Sequence, residues 1–319
     1  MRYYLAPMEG VTTAVYRTQH HAFFGGVDKY FIPFITPTTD PKFTTRQLRE
    51  VAPEHNAGLP AVPQLLTKSA DDFIWAAQAL RALGYGEINL NLGCPSGTVV
   101  AKGKGAGFLA HPDDLDRFLD AIFTAVPGPI SVKTRLGLRE ADEFPALLQI
   151  YNRYPIAELT VHPRVRTDYY KGAPNLSAFS DALAESRNPV CYNGDLNNVH
   201  NCEALTARFP AVPALMLGRG LVADPALARK AQGGAAADRK TLAAFHDALY
   251  EGYCRDFGNE RNAVMRMKEY WSYHIHLYKN GEKYGKRIRK STSAADYRAA
   301  AAAVFRDLEP LPEVTASNL

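Results

Sequence analysis

Short runs rich in apolar, β-branched and aromatic residues recur at residues 3–6, 29–34, 61–66, 87–92, 130–134, 158–161, 189–192 and 214–217. Each has strand length, and polar or glycine-bearing residues follow it. Between them lie segments such as DDFIWAAQALRALG (71–84) and DDLDRFLDAIFTAV (113–126), in which apolar positions fall three and four apart. That is the helix period, and the acids that open the second segment suit a helix start. Strand then helix, repeated eight times, predicts a parallel sheet. The count and length fit a (β/α)8 TIM barrel better than an open doubly wound sheet, because the polar segments consistently follow the strands.

After residue 232 the rhythm stops. GGAAADRK (233–240) reads as a linker, and residues 241–308 carry helical patterning only, including the alanine-rich YRAAAAAVF. The expected organisation is a barrel over 1–235, a smaller all-helical C-terminal domain over 241–309, and a tail over 310–319.

Composition adds limits. Hydrophobic residues make up 46% and charged residues 22% of the 319, ordinary values for a folded globular protein. The start, MRYYLAPMEG, has no continuous apolar core, so neither a signal peptide nor a membrane span is expected, and a cytoplasmic location is. The four cysteines (94, 191, 202, 254) form no CxxC pair. Thiols are expected rather than a disulfide scaffold or a metal site. His20-His21 and the HIH of residues 274–276 stand apart from any Asp or Cys set, so no metal is expected. The net charge is +4, but residues 255–290 hold ten Lys or Arg against four acids, a local +6 that leaves −2 for the rest. One stretch is basic and the rest of the chain is not.

In a barrel the strand ends converge on one mouth. They would bring there Pro7-Met8-Glu9, Gln64, Asn89, Asn91, Cys94, Lys133, Arg135, His162, Arg164, Arg166, Asn193-Gly194-Asp195 and Gly218-Arg219-Gly220. The last two turns let the main chain approach an anion, as tight βα turns after strands seven and eight often do, and imply a phosphorylated cofactor. Lys133 is either a cation that stabilises negative charge on a ligand ring, as a flavin would need, or a lysine reaching solvent. Gln64 pairs with a ring edge or a backbone group. His162 with Arg164 and Arg166 marks either a nucleotide contact or a solvated basic loop. GKGAG (103–107) lacks the spacing of a triphosphate-binding loop.

The ordered set APMEGVT, NLNLGCPS followed by GAGFL, SVKTRLG, LTVHPR, NGD and LGRG resembles the tRNA-dihydrouridine synthase family across about residues 2–305. The resemblance implies an FMN-dependent oxidoreductase that reduces particular D-loop uridines of tRNA to 5,6-dihydrouridine, with NADPH, or NADH, as electron donor. By that resemblance Pro7, Met8, Glu9, Gln64, Lys133, His162, Asn193, Gly194, Asp195, Gly218 and Arg219 hold the flavin. Asn91 and Arg164 meet the substrate, and Cys94 gives the proton to C5 after hydride reaches C6. A thiol of ordinary pKa about 8.5 is mostly protonated at neutral pH and suits that role. Gly97–Gly107 is expected as a mobile flap that admits an extruded base.

The basic stretch, with Lys286, Arg287 and Arg289, would hold tRNA, while most rings of Tyr270, Trp271, Tyr273, Tyr278 and Tyr284 face the core. A monomer is expected. The chain departs from many relatives at Thr98, where they carry lysine, and at Ile32-Pro33, where they carry Thr-Glu. Two other readings compete: a flavin-barrel dehydrogenase of a free pyrimidine or other small molecule, which would not need the basic domain, and a tRNA-binding protein that has lost catalysis.

Overall fold

A computed structural model describes residues 1–314; the last five residues of the expected tail lie outside the described residues. Eight parallel strands close into a barrel in sequence order. They are β1 Arg2–Leu5, β2 Lys29–Ile35, β3 Ala61–Leu65, β4 Ile88–Leu92, β5 Ile130–Arg135, β6 Leu159–His162, β7 Val190–Asn193 and β8 Ala214–Leu217. All eight expected strands are present, with bounds within one residue of those expected. The helices expected at 71–84 and 113–126 are Ala70–Ala82, capped by the Ser69 side chain, and Pro112–Ala125, which has Pro at its start and Asp113 and Asp114 in its first turn. β2 runs on through Pro33, with a register shift against β3 between Ile32 and Ile35. Proline has no N–H to give to the ladder, so a shift at this position is its natural consequence.

The chain divides into two compact units that are interleaved in sequence: residues 1–7, 29–194 and 209–216 form one, and residues 8–28, 195–208 and 217–319 the other. Inside the first unit Tyr4, Ala6, Phe31, Val62, Cys191, Ala214 and Met216 make a buried apolar layer. At the strand starts the buried Glu158 carboxylate accepts from Tyr4 Oη (2.8 Å) and lies 3.3 Å from Arg2 and 3.5 Å from Lys29. A charge buried this deeply needs such partners, and here they also close the barrel floor.

The second unit is helical. Its main helices are Ala14–Phe23, Arg239–Phe257, Glu260–His274, Glu282–Lys290 and Ala294–Asp307. Asp238, Asn259 and Ser293 cap three of them, and Gly258 in the left-handed region ends the helix Arg239–Phe257. Gly252 is required by packing: a Cβ there would lie 2.6 Å from Val15 Cγ1 on the first helix. Trp271 Nε1 donates to Tyr297 Oη (3.1 Å), which also meets His246 Nε2 at 2.7 Å. Tyr270, Trp271 and Tyr278 are buried, while Tyr273 and Tyr284 are half-buried. Two histidines are neutral core groups. His20 Nε2 meets the Pro225 carbonyl at 2.9 Å and His274 Nδ1 meets that of Ala223 at 2.9 Å. Burial pulls their pKa values down to about 4 and about 3.

Of the expected tail, Leu311 N donates to Leu277 O (2.7 Å) and Val314 is buried. Among the described residues no helix is long and apolar enough to cross a membrane, and no group of three His, Cys, Asp or Glu is placed to hold a metal.

Candidate active site

Strand alternation places Asn89 and Asn91 of β4 on one face, and register sets Gln64 beside Asn89 and Lys133 beside Asn91. The amides form a directed chain. Asn91 Nδ2 donates to Gln64 Oε1 (2.7 Å), Gln64 Nε2 to Asn89 Oδ1 (2.7 Å), and Asn89 Nδ2 to Ser131 Oγ (2.8 Å). Gln64 and Asn89 are fully buried, so these partners fix which way each amide faces.

The far end of the chain holds Cys94. Asn91 Oδ1 accepts from Gly93 N (3.0 Å) and Cys94 N (2.9 Å). The Cys94 carbonyl accepts from Ala106 N (3.1 Å), the Gly93 carbonyl from Arg135 Nε (3.0 Å) and the Pro95 carbonyl from Arg166 Nε (3.2 Å). Every polar main-chain group of Gly93-Cys94-Pro95 is therefore bonded. The segment is rigid while the Cys94 side chain is only half-buried. Cys191 is fully buried, and burial drives its thiol well up; Cys202 is pushed up to about 12 for the same reason. Such thiols are inert.

Residues 97–107, expected as a flap, are built from two short helical segments. Gly97–Val100 is a helical turn, Gly105–Ala110 a 3-10 helix, and Gly105, Ala106 and Gly107 are buried. Gly105 has φ +57°, and a Cβ on it would come within 2.9 Å of the Cys94 carbonyl oxygen. The glycine permits close packing under Cys94.

Lys133 is half-buried on β5; burial first, then the Arg135 guanidinium, lowers its pKa to about 8. His162, 6% exposed, presents Nε2 to Arg164 Nη1 at 3.0 Å. Arginine can only donate, so Nε2 accepts and the imidazole is neutral with its proton on Nδ1. Arg164 differs from its expected place on the substrate. It is 2% exposed, and beside the His162 bond it donates to the carbonyls of Lys171 (3.2 Å) and Gly172. A guanidinium tied to two carbonyls and a ring positions His162 instead of reaching out.

Asn193 Nδ2 donates to Met216 O (2.8 Å), and Gly194 has φ +150°, where a Cβ would stand 3.3 Å from His162 Cδ2. In the other unit, Asp195 Oδ1 accepts from Arg219 Nη2 (3.0 Å), a pair the sequence did not reveal. Gly220 is needed there, since its Cβ would be 2.3 Å from the Leu196 carbonyl oxygen. Pro7 follows β1, and Met8 begins a turn whose N–H donates to Thr12 Oγ1 (2.8 Å), with Glu9 exposed. Lys286 and Arg287 line a groove of about 620 Å³ with Lys283, Tyr284 and Lys290, while Arg289 is exposed on the same helix outside the lining.

Sequence reading missed Lys68, Lys102 and Lys104. Lys68 Nζ would be 3.3 Å from a Cβ on Gly103, and burial together with the other two cations lowers the Lys104 pKa. The alternating KGKG (102–105) was the only signal of Lys102 and Lys104, and Lys68 left none.

A closed parallel eight-stranded barrel with convergent amides, a thiol and a depressed lysine at its strand ends defines an enzyme of the (β/α)8 class. A structure of morphinone reductase in complex with tetrahydroNAD shares the fold, with a TM-score of 0.52 at 12% identity over 75% of this chain and 89% of that one. The chain belongs to the dihydrouridine synthase (Dus) family, whose model matches residues 4–318. It is 33% identical to a tRNA-dihydrouridine(16) synthase of Ralstonia nicotianae over 73% of each chain. It is 29% identical to a probable tRNA-dihydrouridine synthase of Rhodobacter capsulatus, over 69% of this chain and 68% of that one.

Proposed function

We propose that this chain reduces uridine in tRNA to 5,6-dihydrouridine in the cytoplasm, using FMN as its bound redox group and NADPH as electron donor, and that it acts as a monomer. Family membership supports the reaction, and the rigid Gly93-Cys94-Pro95 segment beside Gln64, Asn91 and Lys133 is the observation that supports the assignment of roles.

The residues suit a flavin. Lys133 is a cation held at a cost by its surroundings, which a ligand with negative charge on its ring would relieve. Gln64 Nε2 keeps one N–H beyond its Asn89 bond, and Gly194 leaves room that a side chain would fill beside His162. The family pattern also assigns Pro7, Met8, Glu9, Asn193, Asp195, Gly218 and Arg219 to the cofactor. Bound by these residues, FMN would supply hydride chemistry for reduction of the uracil at C6.

The chain's own part is to hold the ring and manage the proton. Asn91 has its oxygen committed to the Cys94 segment, so toward the uracil it acts as a donor to a carbonyl. The Cys94 thiol gives its proton to C5 as the C5–C6 double bond becomes single. The resulting thiolate lies within electrostatic reach of Lys133 and Arg135, which stabilise it until solvent returns the proton. For the RNA strand, the groove at Lys286 and Arg287 takes phosphates, and the Lys68, Lys102 and Lys104 cluster offers cations next to the turn that packs on Cys94.

The deciding experiment maps dihydrouridine in tRNA from cells lacking this chain, starting at position 16. Loss of one modification, restored by the wild-type gene and not by Cys94→Ala, is expected. Unchanged tRNA with altered free pyrimidine pools would favour a small-molecule dehydrogenase.

A further inference from the structure

The loop after β6 holds a bulky residue in a costly conformation. Tyr169 has φ 52° and ψ −96°, where a non-glycine residue is strained and persists only if its surroundings impose it. They do. Tyr169 N donates to Arg166 O (3.1 Å), its carbonyl accepts from Arg135 Nη2 (2.6 Å), and Lys171 N donates to Asp168 O (2.8 Å). The Asp168 carboxylate accepts from Val165 N (3.0 Å), and Arg164 holds the carbonyls of Lys171 and Gly172.

The product of this strain is a pair of successive rings turned outward, Tyr169 40% and Tyr170 55% exposed. Among the described residues the other exposed large hydrophobics are Met1, Leu48 and Met265, so these two are the sole exposed aromatics and the sole adjacent pair in that class. Each has a guanidinium over its ring: Arg166 is 5.0 Å from the Tyr169 centroid, and Arg135 5.5 Å from that of Tyr170. Aromatic faces beside cations are what planar bases strung on phosphates require. Arg135 also bonds the Gly93 carbonyl, so one guanidinium sets both the rings and the Cys94 segment.

We propose that Tyr169 and Tyr170 form a platform on which an unpaired base of the RNA substrate stacks, at a distance from Cys94 fixed through Arg135. The inference rests on the tRNA reading above.

Tyr170→Leu keeps apolar bulk and removes the ring; it is expected to weaken binding of unmodified tRNA roughly tenfold, while Tyr170→Phe and Tyr170→Trp bind like wild type. In Tyr170→Trp, added tRNA should quench the emission of the new indole. Tyr169→Gly, which accepts the positive φ without strain, should bind more weakly for loss of its ring alone. Equal affinity of the Leu and wild-type proteins, or unquenched indole emission at saturating tRNA, overturns the platform. A wild-type protein that neither binds tRNA nor forms dihydrouridine overturns the tRNA reading itself, and the platform with it.

Discussion

Replacing Cys94 by Ala removes one sulfur from a segment whose main chain is held independently of it, so flavin content and fold should be unchanged while dihydrouridine falls below detection by nucleoside mass spectrometry. Substituting Ala at Gly105 does the opposite: it leaves the thiol in place and drives a methyl to 2.9 Å from the Cys94 carbonyl oxygen at φ +57°. Urea unfolding should show a loss of about 1–2 kcal/mol, with activity reduced as the segment shifts. Lys133 offers a titration. Its native pKa is about 8 against 10.5 unfolded, so between those values the unfolded chain binds more protons and stability rises with pH. Flavin-free protein should gain about 1 kcal/mol from this lysine between pH 7 and 9, and Lys133→Met should lack that gain. The sequence exposed Cys94, Gln64, Asn91 and Lys133 as strand-end chemistry. It brought Arg135 and Arg166 to the same mouth but hid what they hold, because a carbonyl bonded by an arginine from a neighbouring strand or loop leaves no mark in either segment.

At the scale of elements, the strands were legible because each is a short apolar run closed by a polar or glycine turn, and parallel order follows from the helices between them. Residues 97–107 show where a glycine-rich run is ambiguous: glycine serves mobility and close packing equally well, and the distances at Gly105 and Gly107 show that these two serve packing. The basic helix Glu282–Lys290 buries Ile288 alone and turns its cations outward. Charge reversal at Lys286 and Arg287 should lower tRNA affinity and flatten its salt dependence by about one unit of log–log slope per lost phosphate contact, measured by titration at several salt concentrations. Equal slopes would move the phosphates away from this helix.

For the molecule as a whole, the concentration of positive charge in residues 255–290 leaves the remainder near neutrality, so salt should act on substrate affinity far more than on folding. Acid acts the other way, through the two core histidines. His20 and His274 stay neutral in the fold with pKa values of about 4 and about 3, whereas unfolded histidine takes up its proton near 6.5. The unfolded chain therefore binds more protons as pH falls below 6.5, and each ring withdraws about 3 kcal/mol of stability by pH 4. Both rings serve the helical unit, so circular dichroism and salt-dependent tRNA binding should decline together on acidification. The carbonyls of Pro225 and Ala223, which hold those rings, thus set a practical floor for handling the protein: ion exchange and storage belong above pH 6.5, and an acidic elution would cost the RNA-binding helices first.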